Sequence, residues 1–253
     1  GEACWNRPAL PHLESRDAMH SHLTRHFFYW ALPTAVILAY VLMYFSGMPI
    51  LQSLIAPAFN RELGLLETTQ HLLLVAVIVM AARGLRGAEV PMERLGYGLA
   101  TALALFQLLE ELNYGYHYLH ALGLVTDSGG IRWNVHNRGV STPMKNAGDL
   151  VLLFYFFLLP LIVRPGWPAW LRFLVPPRLL AVTVLCSVAV SKFGHHLNDN
   201  AELSNHVLEN GVSEFREAFI YYVVLVHVRE LVVNRRWPGW NGERGSPFRD
   251  QAA

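Results

Sequence analysis

The stretch LGYGLATALALFQLLEELNYGYHYLH, Leu95–His120, decides how the chain is read. Its first half is apolar and its second half carries two carboxylates and two histidines, with no break in helical pattern between them. On a helix Glu110, Asn113, Tyr114 and His117 fall at i, i+3, i+4 and i+7 and share one face. Glu111 lies about 100° further round, beside Gln107 and Tyr114. The pattern is a membrane-spanning helix with a polar end. Ionisable groups at membrane depth cost roughly 2.5–3.5 kcal/mol each on insertion scales, so they rarely occur there without a use.

The composition agrees with a membrane protein. Of 253 residues, 53% are hydrophobic and only 15% charged, where a soluble domain carries about 25% charged residues. A net charge of +1 gives no reason to expect nucleic acid as a partner. Cys4 and Cys186 are the two cysteines. They sit far apart, without zinc-finger or CxxC spacing. The opening residues are polar and show no cleavable signal pattern.

The predicted fold class is an all-α integral membrane helical bundle of about six spans. Working outward in both directions, the spans are placed at about 27–48, 64–82, 95–118, 149–163, 179–193 and 212–233. Residues 1–26 form an N-terminal tail, 27–233 the membrane domain and 234–253 a loose C-terminal tail. Pro33 is expected in the first turns of span one, where proline is tolerated. Residues 49–63, broken by Pro57, are too short to cross and read as a surface or re-entrant segment. A short helix is expected over 201–209.

Six spans leave both termini on one side, and the bias of Lys and Arg toward the cytoplasm selects it. With the termini inside, the inner segments hold most of the Lys and Arg. Only Arg61, Arg132, Arg138, Lys145, Lys192 and Arg216 fall outside. Both termini are therefore assigned to the cytoplasm and the chain to the cell inner membrane. Glu67, Gln70 and His71 open span two, Glu110, Glu111 and His117 close span three, and Lys192, His195 and His196 close span five. Glu214 and Glu217 open span six. All of them come to one level, facing the periplasm. The inner side offers His227, Arg229 and Glu230.

Glutamates and histidines on facing helices are the ligand set of carboxylate-bridged metal centres. The sequence thus nominates Glu67, His71, Glu110, Glu111, His117, His195, His196 and Glu217 as metal ligands, with Glu214 close by. Zinc, iron or manganese would suit such ligands, and no nucleotide-binding pattern is present. Glu110 and Glu111 are the expected catalytic pair, acting on a lipid-like or amphiphilic substrate by hydrolysis or oxidation. Two other readings use the same residues. One is an accessory or structural subunit of a larger membrane complex or homo-oligomer, its polar cluster tying helices together. The other is a proton- or ion-coupled transporter. Membrane lipids are the expected surroundings in every case.

The order of short motifs resembles a group of uncharacterised bacterial polytopic membrane proteins. The residues that carry the resemblance are Glu62-Leu63-Gly64-Leu65-Leu66-Glu67, Glu110-Glu111 with Gly115, and His136-Asn137. It spans the second to sixth segments and implies no particular activity. In the placement of its site, the chain is also similar to alkaline ceramidase-like membrane hydrolases, which act at lipid level with zinc. It departs from them in having six expected spans instead of seven, and no histidine pair in the last.

Overall fold

The computed structural model describes residues 24–59, 61–112, 116, 119, 122–124, 150–163, 167–168, 174–201, 207–208 and 211–233. Among these there is helix and no strand. Helix α1 covers Thr24–Tyr44, α2 Pro49–Ile55, and a 3-10 turn Arg61–Leu63. Then come α3, Leu65–Gly87, and α4, Pro91–Glu111. Further along the chain come α5, Leu150–Ile162, α6, Leu179–Asn200, and α7, Glu214–Val233. The expected helix at 201–209 and both tails lie outside the described residues, apart from a few positions.

Three of these helices, α1, α3 and α6, are long and apolar enough to cross a membrane. The other long ones, α4 and α7, are diluted by charge. Glu93, Arg94, Glu110 and Glu111 sit at the ends of α4, and Glu214, Arg216, Glu217, Arg229 and Glu230 at the ends of α7. Length is not what separates them, since 21 residues of α-helix reach about 31 Å, the thickness of a bilayer core.

Helix α7 is the axis of the bundle. One side buries Phe215, Ala218 and Phe219 against Ile37, Val41 and Tyr44 of α1. A second side carries Tyr221 and Val228 against Leu74, Val77 and Ala81 of α3 and Ala104 of α4. A third packs Val223 and Val226 on Tyr29, Phe156 and Leu180. A helix apolar on all sides in this way belongs inside a bundle, not at its surface. By contrast α4 turns Leu95, Leu99, Leu103 and Phe106 outward.

Two prolines shape this scaffold. The sequence places Pro33 in the first turns of a span, but α1 starts nine residues earlier, at Thr24, so Pro33 is internal. Proline has no N–H for the carbonyl four residues back and its ring pushes that carbonyl away. Here that carbonyl is Tyr29's, and the turn Phe27–Ala31 winds as a π-helix. The hydroxyl of Thr183 donates to the Tyr29 carbonyl oxygen at 2.5 Å, and Tyr222 donates to that of Phe28 at 2.6 Å. Donors from α6 and α7 thus replace what proline removed. A π-turn also precedes the proline of α5, Phe154–Leu158 before Pro160.

Glycine closes two other contacts. Gly64 caps α3 directly against the Ile55 carbonyl; an added Cβ would collide with that oxygen and stand 2.9 Å from Pro57 Cδ. This fastens α2 and the 3-10 turn to the start of α3. Gly84 admits the Tyr97 ring in the same way, with a Cβ position 2.7 Å from its Cε1, and so holds α3 against α4.

Candidate functional site

The chain reverses between α3 and α4 through residues 88–90, so the start of α3 and the end of α4 lie at one end of the bundle. The start of α7 joins them there, as two side-chain links show. Gln70 Nε2 of α3 donates to the backbone oxygen of Glu214 at 3.1 Å and to its Oε2 at 3.3 Å. Gln107 Nε2 of α4 donates to the Tyr221 hydroxyl at 3.0 Å. The expected convergence of α3, α4 and α7 is therefore present in the fold.

The convergence divides into two groups. The first surrounds Glu67 and Glu214. Both carboxylates are buried, as are Gln70 and His71 beside them. Arg61, from the 3-10 turn, reaches both: its Nε is 3.9 Å from Glu67 Oε1 and its Nη2 3.6 Å from Glu214 Oε1. The arginine side chain is 38% exposed, the two carboxylates 3% and 11%. Arg61 is therefore the more exposed partner of two buried acids. The two acceptors on Gln70 Nε2 fix the orientation of the amide, so that Oε1 points away from Glu214. Gln70 is fully buried, and Oε1 has no hydrogen-bond partner among the described residues. A buried carbonyl oxygen without a donor is costly unless something positive approaches it.

The second group is closed on itself. Gln107 Nε2 donates to Glu111 Oε1 at 2.8 Å, and the Tyr221 hydroxyl donates to the same oxygen at 2.6 Å. With the link from Gln107 to Tyr221, the three side chains form a triangle across α4 and α7. Glu217 and Glu214 are also within electrostatic reach of Tyr221. Glu110 is buried, one residue from this triangle.

Not every expected ligand joins these groups. His195 and His196 are at the same end, on the last turns of α6, but both are exposed, as is Lys192. His117 lies outside the described residues, with Gly115, His136 and Asn137. Among the described residues, no set of three or more His, Cys, Asp and Glu is arranged to hold a metal ion.

Two participants had no role in the sequence reading. Arg61 counted there only toward the charge bias, and Tyr221 was an ordinary aromatic of span six. The spacing Glu214, Glu217, Tyr221 at i, i+3 and i+7 is the signal that would have found the second. The opposite end of α7 holds more than its sequence suggested. His227 and Glu230 are buried there, and the Tyr155 hydroxyl donates to the Leu174 carbonyl at 2.6 Å while lying 2.9 Å from His227 Nε2. Its one proton goes to the carbonyl, so His227 Nε2 is the donor in the second bond. Between the two polar ends lies the apolar layer of Leu74, Val77, Ala81, Ala104 and Val228.

Comparison with known proteins finds no family model, no curated relative and no solved structure that matches the chain.

Proposed function

We propose that the protein is a six-span enzyme of the cell inner membrane, with both termini cytoplasmic. In this reading its periplasmic end binds a divalent cation that activates water against a lipid-like substrate. One observation carries the reading. Among the described residues the buried Gln70 Oε1 has no hydrogen-bond partner, on the helix that also carries the buried Glu67 and opposite the buried Glu214. Glu67 and Glu214 are oxygen donors, and carboxylate oxygen favours hard cations such as manganese or magnesium. His71 follows Glu67 by one turn on the same helix. The exposed positions of His195 and His196 favour manganese over zinc or iron, which a nitrogen-rich set would select.

A hard cation held by two or so protein carboxylates keeps open positions for water and for a substrate phosphate. It lowers the pKa of a bound water and polarises the group that water attacks. In this reading the buried Glu110 accepts the proton. Glu111, already committed to Gln107 and Tyr221, is a positioning residue. The outward apolar face of α4 supports its placement as a span and gives acyl chains a surface beside the site. The test uses purified protein in phospholipid nanodiscs with manganese, following release of headgroup or fatty acid. Release that needs manganese and is lost in Glu110→Gln supports the reading. Release that survives chelation, or is undiminished in Glu110→Gln, overturns it.

A second reading has its own observation. The triangle of Gln107, Glu111 and Tyr221 is satisfied without any ligand, as a lock between helices would be. If that is its whole purpose, the protein is an accessory subunit, and Glu111→Gln disrupts assembly without affecting any cation. The apolar layer between the two polar ends argues against a transport path.

A further inference from the structure

Helix α2, Pro49–Ile55, opens on a proline and ends at the extended Ala56, just before Pro57. Seven residues of helix reach about 10 Å, a third of a bilayer core. Ile50 and Leu54, one turn apart, are 82% and 50% exposed, and Met48 and Phe59 to either side are 59% and 83% exposed. The opposite face is closed. Gln52 and Ile55 are fully buried, and Ile55 packs with Tyr44 of α1 and Leu66 of α3. A helix lying on a protein in water turns its apolar stripe inward and its polar residues outward. In α2 the amide is inside and the outer face is apolar. We propose that α2 and Phe59 form an interfacial foot, lying along the membrane surface with Met48, Ile50, Leu54 and Phe59 among the acyl chains of the nearer leaflet. Neither a metal nor a reaction is needed for this; it requires only that α1 and α3 cross the membrane.

Three features select lipid as the occupant of that face. The first is level. Only residues 45–48 separate the end of α1 from Pro49, a reach of about 18 Å at most. On the other side Gly64 sits against the Ile55 carbonyl. Helix α2 is therefore held where α1 ends and α3 begins, and both of those helices are long and apolar enough to cross. The second is charge. Residues 45–60, FSGMPILQSLIAPAFN, contain no Asp, Glu, Lys, Arg or His. A protein interface has a polar rim, and its charges fix the register of the partner. Acyl chains need no register. The third is the edge of the foot. Ser53 is exposed and lies about 60° round from Ile50, on the side away from Leu54. The outer surface thus has an apolar edge and a polar one, as suits a helix whose apolar face sinks roughly 5–10 Å into the boundary between headgroups and acyl chains. Glu67 follows Gly64 by three residues, so the foot sets the depth at which this end of the bundle meets the headgroups.

The experiment is spin labelling of the full chain in phosphatidylcholine nanodiscs. Ile50→Cys, Ser53→Cys and Phe59→Cys are labelled one at a time in protein carrying Cys4→Ser and Cys186→Ser. Collisions with oxygen, which concentrates in hydrocarbon, are compared with collisions with a water-soluble nickel chelate. Labels at 50 and 59 are expected to meet oxygen severalfold more than nickel, and the label at 53 to meet nickel more. Nickel exceeding oxygen at 50 and 59 places the foot in water and overturns the proposal. Exclusion of both probes there places a protein surface over the foot and also overturns it. Wild-type protein gives an independent check with a phospholipid carrying a photoactivatable group on its acyl chain, its adducts located by mass spectrometry. Adducts within residues 48–59 support the foot, and labelling of α1 and α3 without any in 48–59 refutes it. Neither readout involves manganese or activity, so failure here leaves the cation reading standing, and failure of that reading leaves the foot.

Discussion

Tyr221→Phe removes one oxygen from the centre of the α4–α7 contact and leaves the ring in place. The hydroxyl donates to Glu111 Oε1 at 2.6 Å and accepts from Gln107 Nε2 at 3.0 Å. A hydrogen bond to a charged group contributes about 1.5–3 kcal/mol in soluble proteins, whereas interhelical bonds in membranes average about 0.6 kcal/mol and reach about 1.7. Gln107 still serves Glu111 after the change, at 2.8 Å, so the carboxylate is not stranded. These bounds place the loss at about 1–2 kcal/mol. The assay is reversible unfolding in mixed micelles, with Tyr221→Phe, Glu111→Gln and the double variant forming a cycle. Contact between the two residues predicts a coupling of about 1 kcal/mol, well above the roughly 0.3–0.5 kcal/mol within which independent sites add. Additive single effects would refute the triangle as an energetic unit.

Other consequences follow from the scaffold. Gly64→Ala drives a methyl group into the Ile55 carbonyl and Pro57, and backbone yields little, so about 1–3 kcal/mol of stability is lost. Reversible unfolding in mixed micelles measures it. Gly84→Ala meets the Tyr97 ring and costs a similar amount, measured in the same unfolding assay, with no effect on manganese. Thr183→Val deprives the Tyr29 carbonyl of the donor that compensates for Pro33, a loss of about 1–3 kcal/mol. Thr183→Ser keeps the hydroxyl and recovers most of that loss.

The fold was legible wherever apolar runs were uninterrupted. The runs of α1, α3 and α6 announce themselves, and the start of α7 follows from Ser213 and the acidic turn after it. Charge at both ends blurred α4 and α7, so composition alone supports three spans where pattern suggested six. The π-turns were not foreseen because they depend on where a helix begins as well as on where proline sits. Pro33 looked harmless until α1 proved to start at Thr24.

At the site, helical spacing brought Glu67, Gln70 and His71 onto one stripe, and chain reversal put Glu110, Glu111 and Glu214 at the same level. Which acid meets which partner depends on helix rotation, which no local pattern encodes. The pairing of Gln70 with Glu214 and of Glu111 with Tyr221 is therefore information that only packing supplies. Spacing was also blind to exposure, as His195 and His196 show. They share the level of the cluster but stand at an exposed helix end.

The central claim is that this end of the bundle, with the buried Glu67 and Glu214, binds a hard divalent cation. Elemental analysis and electron paramagnetic resonance of manganese-loaded, detergent-purified protein address it directly, with Glu214→Gln, Gln70→Leu and Glu111→Gln alongside wild type. The account predicts close to one manganese per wild-type chain. It also predicts affinity at least tenfold weaker in Glu214→Gln and Gln70→Leu, and little change in Glu111→Gln. A wild-type protein that is folded and binds no manganese would contradict it, as would binding lost in Glu111→Gln but retained in Glu214→Gln.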